Sequence, residues 1–376
     1  MSTIPLEVLK ITTKKTNKAC SVPLPMQLSG ELAENHIVVR RAKDIGRLYN
    51  KSHFGKTLAG NVLQLNLLEG VYLLGEQKIK IVDEKTTLSF QELVMRASRL
   101  IPSFEMKYLL FKDLRNRGHA IHLCKDENPT TFQKVLSAQE QATDDVFIKA
   151  FSERDVFSIE QTKQLAASMK KRKARLWYGI VDEEGDITYY EISVINPKGK
   201  IKTHISAKGK GSMLENRLVL FEKELSEDLL KKEFYGKPFG RGLQLSLVEG
   251  LYLAKKDIIT IYDLKGNKVS LKKFERSINE TQPDINQRLA VFTDLKKRGM
   301  LVKTGFKFGA HFRAYTQQPE KTHAEYLIHA VDQSFSSIWA EMSRAVRLAH
   351  SVNKEILFAQ VTGEEVTYVK IGRLRP

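Results

Sequence analysis

A tyrosine, a histidine and a lysine can between them take up a proton, give one back and neutralise an anion. The C-terminal part of this chain holds all three within forty residues, at Tyr315, His323 and Lys354. Tyr315 and His323 bracket a polar stretch in FRAYTQQPEKTHAE, where Gln317, Gln318 and Pro319 disfavour burial and predict a loop. Tyrosine has a reference pKa near 10 and acts as a base only where a nearby cation favours its phenolate. Histidine, with a reference near 6.5, suits acid catalysis at neutral pH. Each residue alone also fits something ordinary: a half-buried strand-end tyrosine, a strand-start or cap histidine, a solvated lysine.

Lys354 closes a predicted helix, SIWAEMSRAVRLAHSVNK. Ile338, Met342, Ala345, Ala349 and Val352 recur at spacings of four and three and predict its core-facing stripe. Arg347, His350 and Lys354 lie on another face. Arg347 and Lys354 are two turns apart, about 10.5 Å along the axis, which is more than one phosphate-to-phosphate step. Before the helix come strands (LVKTGFKFGAHFRAY, then AEYLIHAV), and after it EILFAQV and EVTYVKIGRL.

These elements belong to a unit that occurs twice. LQLNLLEGVYL at 63–73 matches LQLSLVEGLYL at 243–253 in eight of eleven positions, at an offset of 180. FKDLRNRG from Phe111 matches FTDLKKRG from Phe292, GELAENHIVV from Gly30 matches GSMLENRLVL from Gly211, and GDITYYEI from Gly185 resembles EEVTYVKI from Glu364. Four blocks in one order at nearly one offset imply a duplication. The Gly-, Lys-, Ser- and Pro-containing segment 194–212 reads as the linker. We expect residues 1–198 and 199–376 to be the two copies. Each would comprise a small α/β N-terminal subdomain (about 28–120 and 210–299) and a mixed-sheet α/β C-terminal subdomain (121–198 and 300–376). The copies differ where chemistry is possible. Aligning VFIKA with YLIHA sets Thr143 opposite His323, and no tyrosine faces Tyr315. Lys171, within KKRK at 170–173, stands roughly opposite Lys354, and Gln164 replaces Arg347.

The formal net charge of +17 and pI near 9.6 favour a polyanionic partner, since Lys and Arg displace counterions from phosphates. No apolar run reaches transmembrane length, and the N-terminus lacks the apolar core of a signal peptide. Cys20 and Cys124, far apart and outside any Cys/His cluster, argue against a disulfide framework or a zinc site, and for a reducing cytoplasm.

Taken together, FRAY at 312–315, HAEYLIHAV at 323–331 and RLAHSVNKEILFA at 347–359 resemble the archaeal tRNA-splicing endonuclease family, in its two-unit fused form. The resemblance covers both copies and is strongest from Phe292 to Pro376. It implies a restriction-endonuclease-like C-terminal fold and a tRNA-intron lyase. Such an enzyme cuts pre-tRNA at bulge–helix–bulge motifs without metal or cofactor, leaving 2′,3′-cyclic phosphate and 5′-hydroxyl ends. The family's triad falls on Tyr315 as base, His323 as acid and Lys354 as the cation that neutralises the transition state. Two base-stacking arginines would be Arg347 and Arg373. The first copy would be a pseudo-catalytic unit whose acidic turn, Asp182, Glu183, Glu184 and Asp186, resembles the family's docking loop. Four units could be two chains, so a homodimer is expected, with the strand ending near Val369 as a pairing edge.

Two other functions remain open on the sequence. A Mg²⁺-dependent restriction-type nuclease wants Asp…(Asp/Glu)-x-Lys, and Asp263-Leu-Lys265 supplies the last part in a predicted hairpin turn. A non-catalytic RNA-binding subunit would keep the basic faces and tolerate Tyr315→Phe.

Overall fold

The computed structural model describes residues 28–123, 131–134, 145–202, 205–319 and 323–376. The duplication is visible first in local chemistry. Asn66 caps the helix Leu67–Gly75 and Ser246 caps Leu247–Lys255, each in a reciprocal capping box with Glu69 or Glu249. Each side chain satisfies an amide the helix start leaves unpaired. The first of these helices lies within a six-stranded sheet unit built from residues 28–87. The second lies within a five-stranded sheet unit built from residues 209–262.

The C-terminal subdomains carry the strands that matter for chemistry. In the first copy they are β1 (Ile121–Leu123), β2 (Thr131–Lys134), β3 (Val146–Ser152), β4 (Val156–Ser158), β5 (Arg175–Val181) and β6 (Ile187–Ile195), with helix α1 (Ile159–Lys171). In the second they are β7 (Leu301–Thr304), β8 (Phe312–Tyr315), β9 (Tyr326–Asp332), β10 (Ser336–Ile338), β11 (Glu355–Thr362) and β12 (Glu365–Leu374), with helix α2 (Trp339–Ser351). Both copies use the same mixed order, in which a parallel pair (β3 with β5, β9 with β11) flanks the helix that connects it.

The two sets of strands form one sheet, in the order β7-β8-β9-β11-β12-β6-β5-β3-β2-β1. The join is β6 against β12, antiparallel, from Tyr189 opposite Leu374 to Ile195 opposite Tyr368. Ile192 faces Ile371 there, and each faces the equivalent leucine or isoleucine of its own hairpin. Phe157 faces Ser337 across the short pair β4–β10. Equivalent residues meet at both places, so a local two-fold axis relates the two C-terminal subdomains. Strand β12 is therefore hydrogen-bonded on both sides within its own chain. It is not the open pairing edge expected from the sequence, because β6 has already taken that position. For the same reason compactness does not divide the chain at the repeat boundary near residue 198. One unit comprises residues up to Asn50 together with Gly55–Val94, the other Lys51–Phe54 together with Met95–Pro376.

Trp339 locks the join. Its side chain is fully buried and meets the first copy's Phe157, Phe151, Tyr178 and Tyr190 rings at centroid distances of 5.3, 5.7, 5.7 and 5.8 Å. The buried stripe of α2 is Trp339, Met342, Val346 and Ala349. Ile338, expected in it, is the N-cap, pairs with Val156 in the two-stranded ribbon and is 46% exposed. Starting the helix one residue later turns the stripe onto Trp339 and Val346.

The segment read as a linker is strapped down. Gly199, Lys200 and Ile201 donate backbone hydrogen bonds to Arg298, Thr316 and Gly299 at 3.0, 2.8 and 2.9 Å. A Cβ on Gly199 would fall inside the Gly299 carbonyl, so only glycine permits this approach. Among the described residues, no helix is long and apolar enough to cross a membrane.

One core feature makes a pH prediction. His329 on β9 stacks on Phe358 at 5.3 Å and meets His311 edge-on at 5.5 Å. Burial, reinforced by His311, pushes its pKa down to about 4. The unfolded chain then takes up a proton below about pH 6.5 that the folded chain refuses, so stability falls as pH drops from about 6.5 towards 4. Urea titrations should show a slope of about 1 kcal/mol per pH unit in that window, flattened by His329→Phe. An unchanged slope in the variant would contradict this.

Candidate active site

Tyr315 is the last residue of β8, Lys354 immediately precedes β11, and His323 lies three residues before β9. All three therefore sit at the same end of the sheet. Register makes this sharper. Ala314 faces Tyr326 across β8–β9, Tyr326 faces Glu355 across β9–β11, and Ile356 faces Ile371 across β11–β12. Arg313, Leu327, Ile356 and Ile371 likewise face one another, and Tyr315, Lys354 and Arg373 each lie two residues further along their strands towards the same end, so they project from one face. Glu325 N donates to Ala314 O at 3.1 Å, so Glu325 and Tyr326 both stand against Ala314 in a bulge at the start of β9. In the first copy, Tyr190 faces Arg373. Residues opposite one another in a sheet project from the same face. At about 4.8 Å per strand, Tyr315 and Lys354 stand roughly 10 Å apart at the backbone. That is close enough for both side chains to reach one phosphate.

The environments of the three differ. Tyr315 is 8% exposed, packed with Leu301 and Ala324 against Ile201 of the linker, and its ring centroid is 6.0 Å from the Arg313 guanidinium. Lys354 is half-buried, its Nζ 3.3 Å from the Val352 carbonyl oxygen and 5.6 Å from the Phe308 ring centroid. His323 is exposed. A buried phenol, a half-buried ammonium and an exposed imidazole at one end of the sheet can meet a phosphate that approaches from solvent.

Arg347 is exposed on α2, with Nε 3.4 Å from the Ser343 carbonyl oxygen, and Arg373 is exposed on β12. Both lie near enough to the Tyr190 hydroxyl to act on it electrostatically, so the fold brings them together. The acidic residues Asp182, Glu183, Glu184 and Asp186 form the exposed β5–β6 turn. There Asp182 Oδ1 accepts the Glu184 and Asp186 amides, and Glu183 pairs with Arg154. Asp263, the carboxylate of the restriction-type alternative, lies in the turn after the strand Ile259–Tyr262. Its Oδ1 accepts the Lys265 and Asn267 amides at 2.9 and 2.8 Å, which ties it to that turn.

Two first-copy equivalences need correction. Helices α1 and α2 superpose at an offset of 180, since Ile159, Thr162, Ala166 and Met169 occupy the buried positions of Trp339, Met342, Val346 and Ala349. Ala174 N donates to Met169 O just as Lys354 N donates to Ala349 O, both at 3.0 Å. The residue opposite Lys354 is thus Ala174, not Lys171, and the one opposite Arg347 is Ala167, not Gln164. The charged run KKRK drew the sequence alignment out of register. Thr143, set opposite His323, lies outside the described residues.

Sequence reading missed two neighbours. Glu325 immediately precedes β9, and its carboxylate accepts the Thr316 hydroxyl next to Tyr315. Arg313, opposite Lys303, borders a cleft of about 410 Å³ also lined by Arg217, Lys237, Lys307 and Glu249. Nothing local in the sequence marks either residue; strand register and the N-terminal subdomain bring them in.

The pattern of the tRNA intron endonuclease N-terminal domain matches this chain twice, at 28–94 and 209–275, and that of the catalytic C-terminal domain matches residues 285–368. The chain belongs to the tRNA intron endonuclease family. It is 35% identical to a tRNA-splicing endonuclease of Methanococcoides burtonii over 93% of this chain and 100% of that protein. It is 34% identical to one of Methanosarcina mazei over 94% and 99%. A tRNA-splicing endonuclease of Halobacterium salinarum is 27% identical over 88% and 95%. Tyr315, His323 and Lys354 all fall within the tRNA intron endonuclease catalytic domain match.

Proposed function

We propose that the second copy is a splicing endonuclease that cuts pre-tRNA at bulge–helix–bulge motifs by metal-independent transesterification. The observation that carries this is the strand register, which puts Tyr315 and Lys354 on one sheet face with exposed His323 at the same end. The Tyr315 phenolate takes the proton of the 2′-hydroxyl next to the scissile phosphate. The 2′-oxygen then bonds phosphorus as the P–O5′ bond breaks, and His323 protonates the departing 5′-oxygen. The products are a 2′,3′-cyclic phosphate and a 5′-hydroxyl, with the enzyme's two protons re-equilibrated through solvent. Lys354 neutralises charge that builds on the phosphorane-like transition state. Arg347 and Arg373 hold an extruded base by stacking, which suits recognition by structure more than by sequence. Single-turnover cleavage by Tyr315→Phe and His323→Ala tests the assignment; a chain carrying either change that cuts at the wild-type rate would remove it.

The working unit in this reading is a homodimer. The basic cleft of Arg217, Lys237, Lys303, Lys307 and Arg313 complements the acidic β5–β6 turn of a second chain. Glu249, the cleft's carboxylate, is already occupied by the Gly236 and Ser246 amides at 3.0 and 2.9 Å, which leaves the cationic groups to dominate. Reversing Glu183 and Glu184 together to lysine should raise the dimer dissociation constant about 100-fold, roughly 2.7 kcal/mol. Mass in solution across a dilution series reads it; an unchanged dissociation constant would place the dimer contact elsewhere.

A further inference from the structure

Tyr190 is a first-copy residue embedded among second-copy groups. Its side chain is fully buried, its ring stacks on Trp339 at 5.8 Å and 20°, and its backbone faces Arg373 directly. Trp339, Ser343 and Arg347 follow one another at spacings of four along α2, so they share one edge of the helix. Ser343, Arg347 and Arg373 are the polar groups that act on the Tyr190 hydroxyl, with Ser343 close enough to offer it a hydrogen bond. It has no hydrogen-bond partner of good geometry in the described structure, which leaves it available to a guanidinium or to the group a guanidinium holds.

The local two-fold axis supplies the control. The positions equivalent to Trp339, Ser343, Arg347, Arg373 and Tyr190 are Ile159, Lys163, Ala167, Val194 and Val369. All five differ together, and on that side a valine stands where Tyr190 stands on the other. A tyrosine required only to fill the sheet core would not be confined to the side that carries both arginines.

We propose that Tyr190 sets the gap between Arg347 and Arg373, making the first copy a direct contributor to the grip on the extruded base. Tyr190 is a positioning residue: it holds the pair of guanidiniums and leaves the reacting atoms to Tyr315, His323 and Lys354. This rests on the proposed base-stacking role of the two arginines.

The test measures affinity for bulge–helix–bulge RNAs made uncleavable by 2′-deoxyribose at the scissile nucleotides, intact or with one bulge nucleotide at a time made abasic. For the wild-type chain, the abasic change at the gripped nucleotide should weaken binding about tenfold. Tyr190→Phe keeps the ring on Trp339 and removes only the hydroxyl, with the thermal midpoint as a folding control. It should weaken binding of intact RNA about fivefold and reduce the abasic penalty to about twofold. Arg347→Ala should abolish the penalty. If Arg347→Ala abolishes the penalty while Tyr190→Phe keeps it in full, Tyr190 has no part in the grip. Equal weakening of intact and abasic RNAs by Tyr190→Phe would show a structural role only and overturn the proposal. If no abasic change affects the wild type, the stacking role of the arginines falls, and this inference with it.

Discussion

Replacing His323 with alanine should slow single-turnover cleavage of a bulge–helix–bulge RNA about 10²–10⁴-fold, the usual contribution of a positioned general acid. The 5′-oxygen leaves as a strongly basic alkoxide unless a proton reaches it as the bond breaks. His323 is the exposed imidazole at the end of the sheet where Tyr315 and Lys354 converge. Tyr315→Phe should produce a loss of similar order for the opposite reason, since it deletes only the group proposed to accept the 2′-proton. The ring stays packed with Leu301 and Ala324, so its folding cost should be small. In the proposed mechanism base and acid act in one step, so the double variant should be little slower than the worse single variant. Rates are read with enzyme in excess of end-labelled RNA. A His323→Ala chain within about threefold of wild type would remove the general-acid assignment.

Truncating Trp339 to alanine should cost about 3–5 kcal/mol, at the upper end for a core position. The indole is fully buried and touches four first-copy rings, so the change opens a cavity at the join between copies. Neighbouring backbone contacts across the join, Trp339 N to Asp155 O and Ala340 N to Glu153 O, both 3.2 Å, depend on the same packing. The symmetry-related position is Ile159, where Ile→Val should cost only about 0.5–1.5 kcal/mol. Urea midpoints compare the two. A Trp339→Ala loss below about 1 kcal/mol would mean that the β6–β12 ladder holds the copies together without the aromatic cluster.

How much of this was legible beforehand depends on the range of the interaction. The duplication and the triad residue types are local or nearly local, and they stand in the sequence. Position along the sheet is not local. That Tyr315 and Lys354 share a sheet face follows from two ladders whose register is fixed by apolar faces on both sides of the sheet. The pairing of β6 with β12 was hidden because a strand end reads the same whether its partner is the other copy or another molecule. Ile338 and Trp339 exchanged roles because Met342 and Ala349 fit a stripe through either residue, and Ile338 is the N-cap outside the helix. Ala174 was obscured by the adjacent lysines and arginine, whose charge suggested an equivalence that the Ala174–Met169 backbone bond corrects. The correction deepens the asymmetry between the copies, since neither Lys354 nor Arg347 has a charged counterpart at the matching position.

The most direct test is to incubate the purified chain alone with a bulge–helix–bulge RNA in excess EDTA and to analyse the ends of the fragments. Cleavage should persist undiminished and give 2′,3′-cyclic phosphate and 5′-hydroxyl termini. Loss of cleavage restored by added Mg²⁺, or fragments bearing 5′-phosphates, would contradict the assignment of Tyr315, His323 and Lys354 as a metal-independent site.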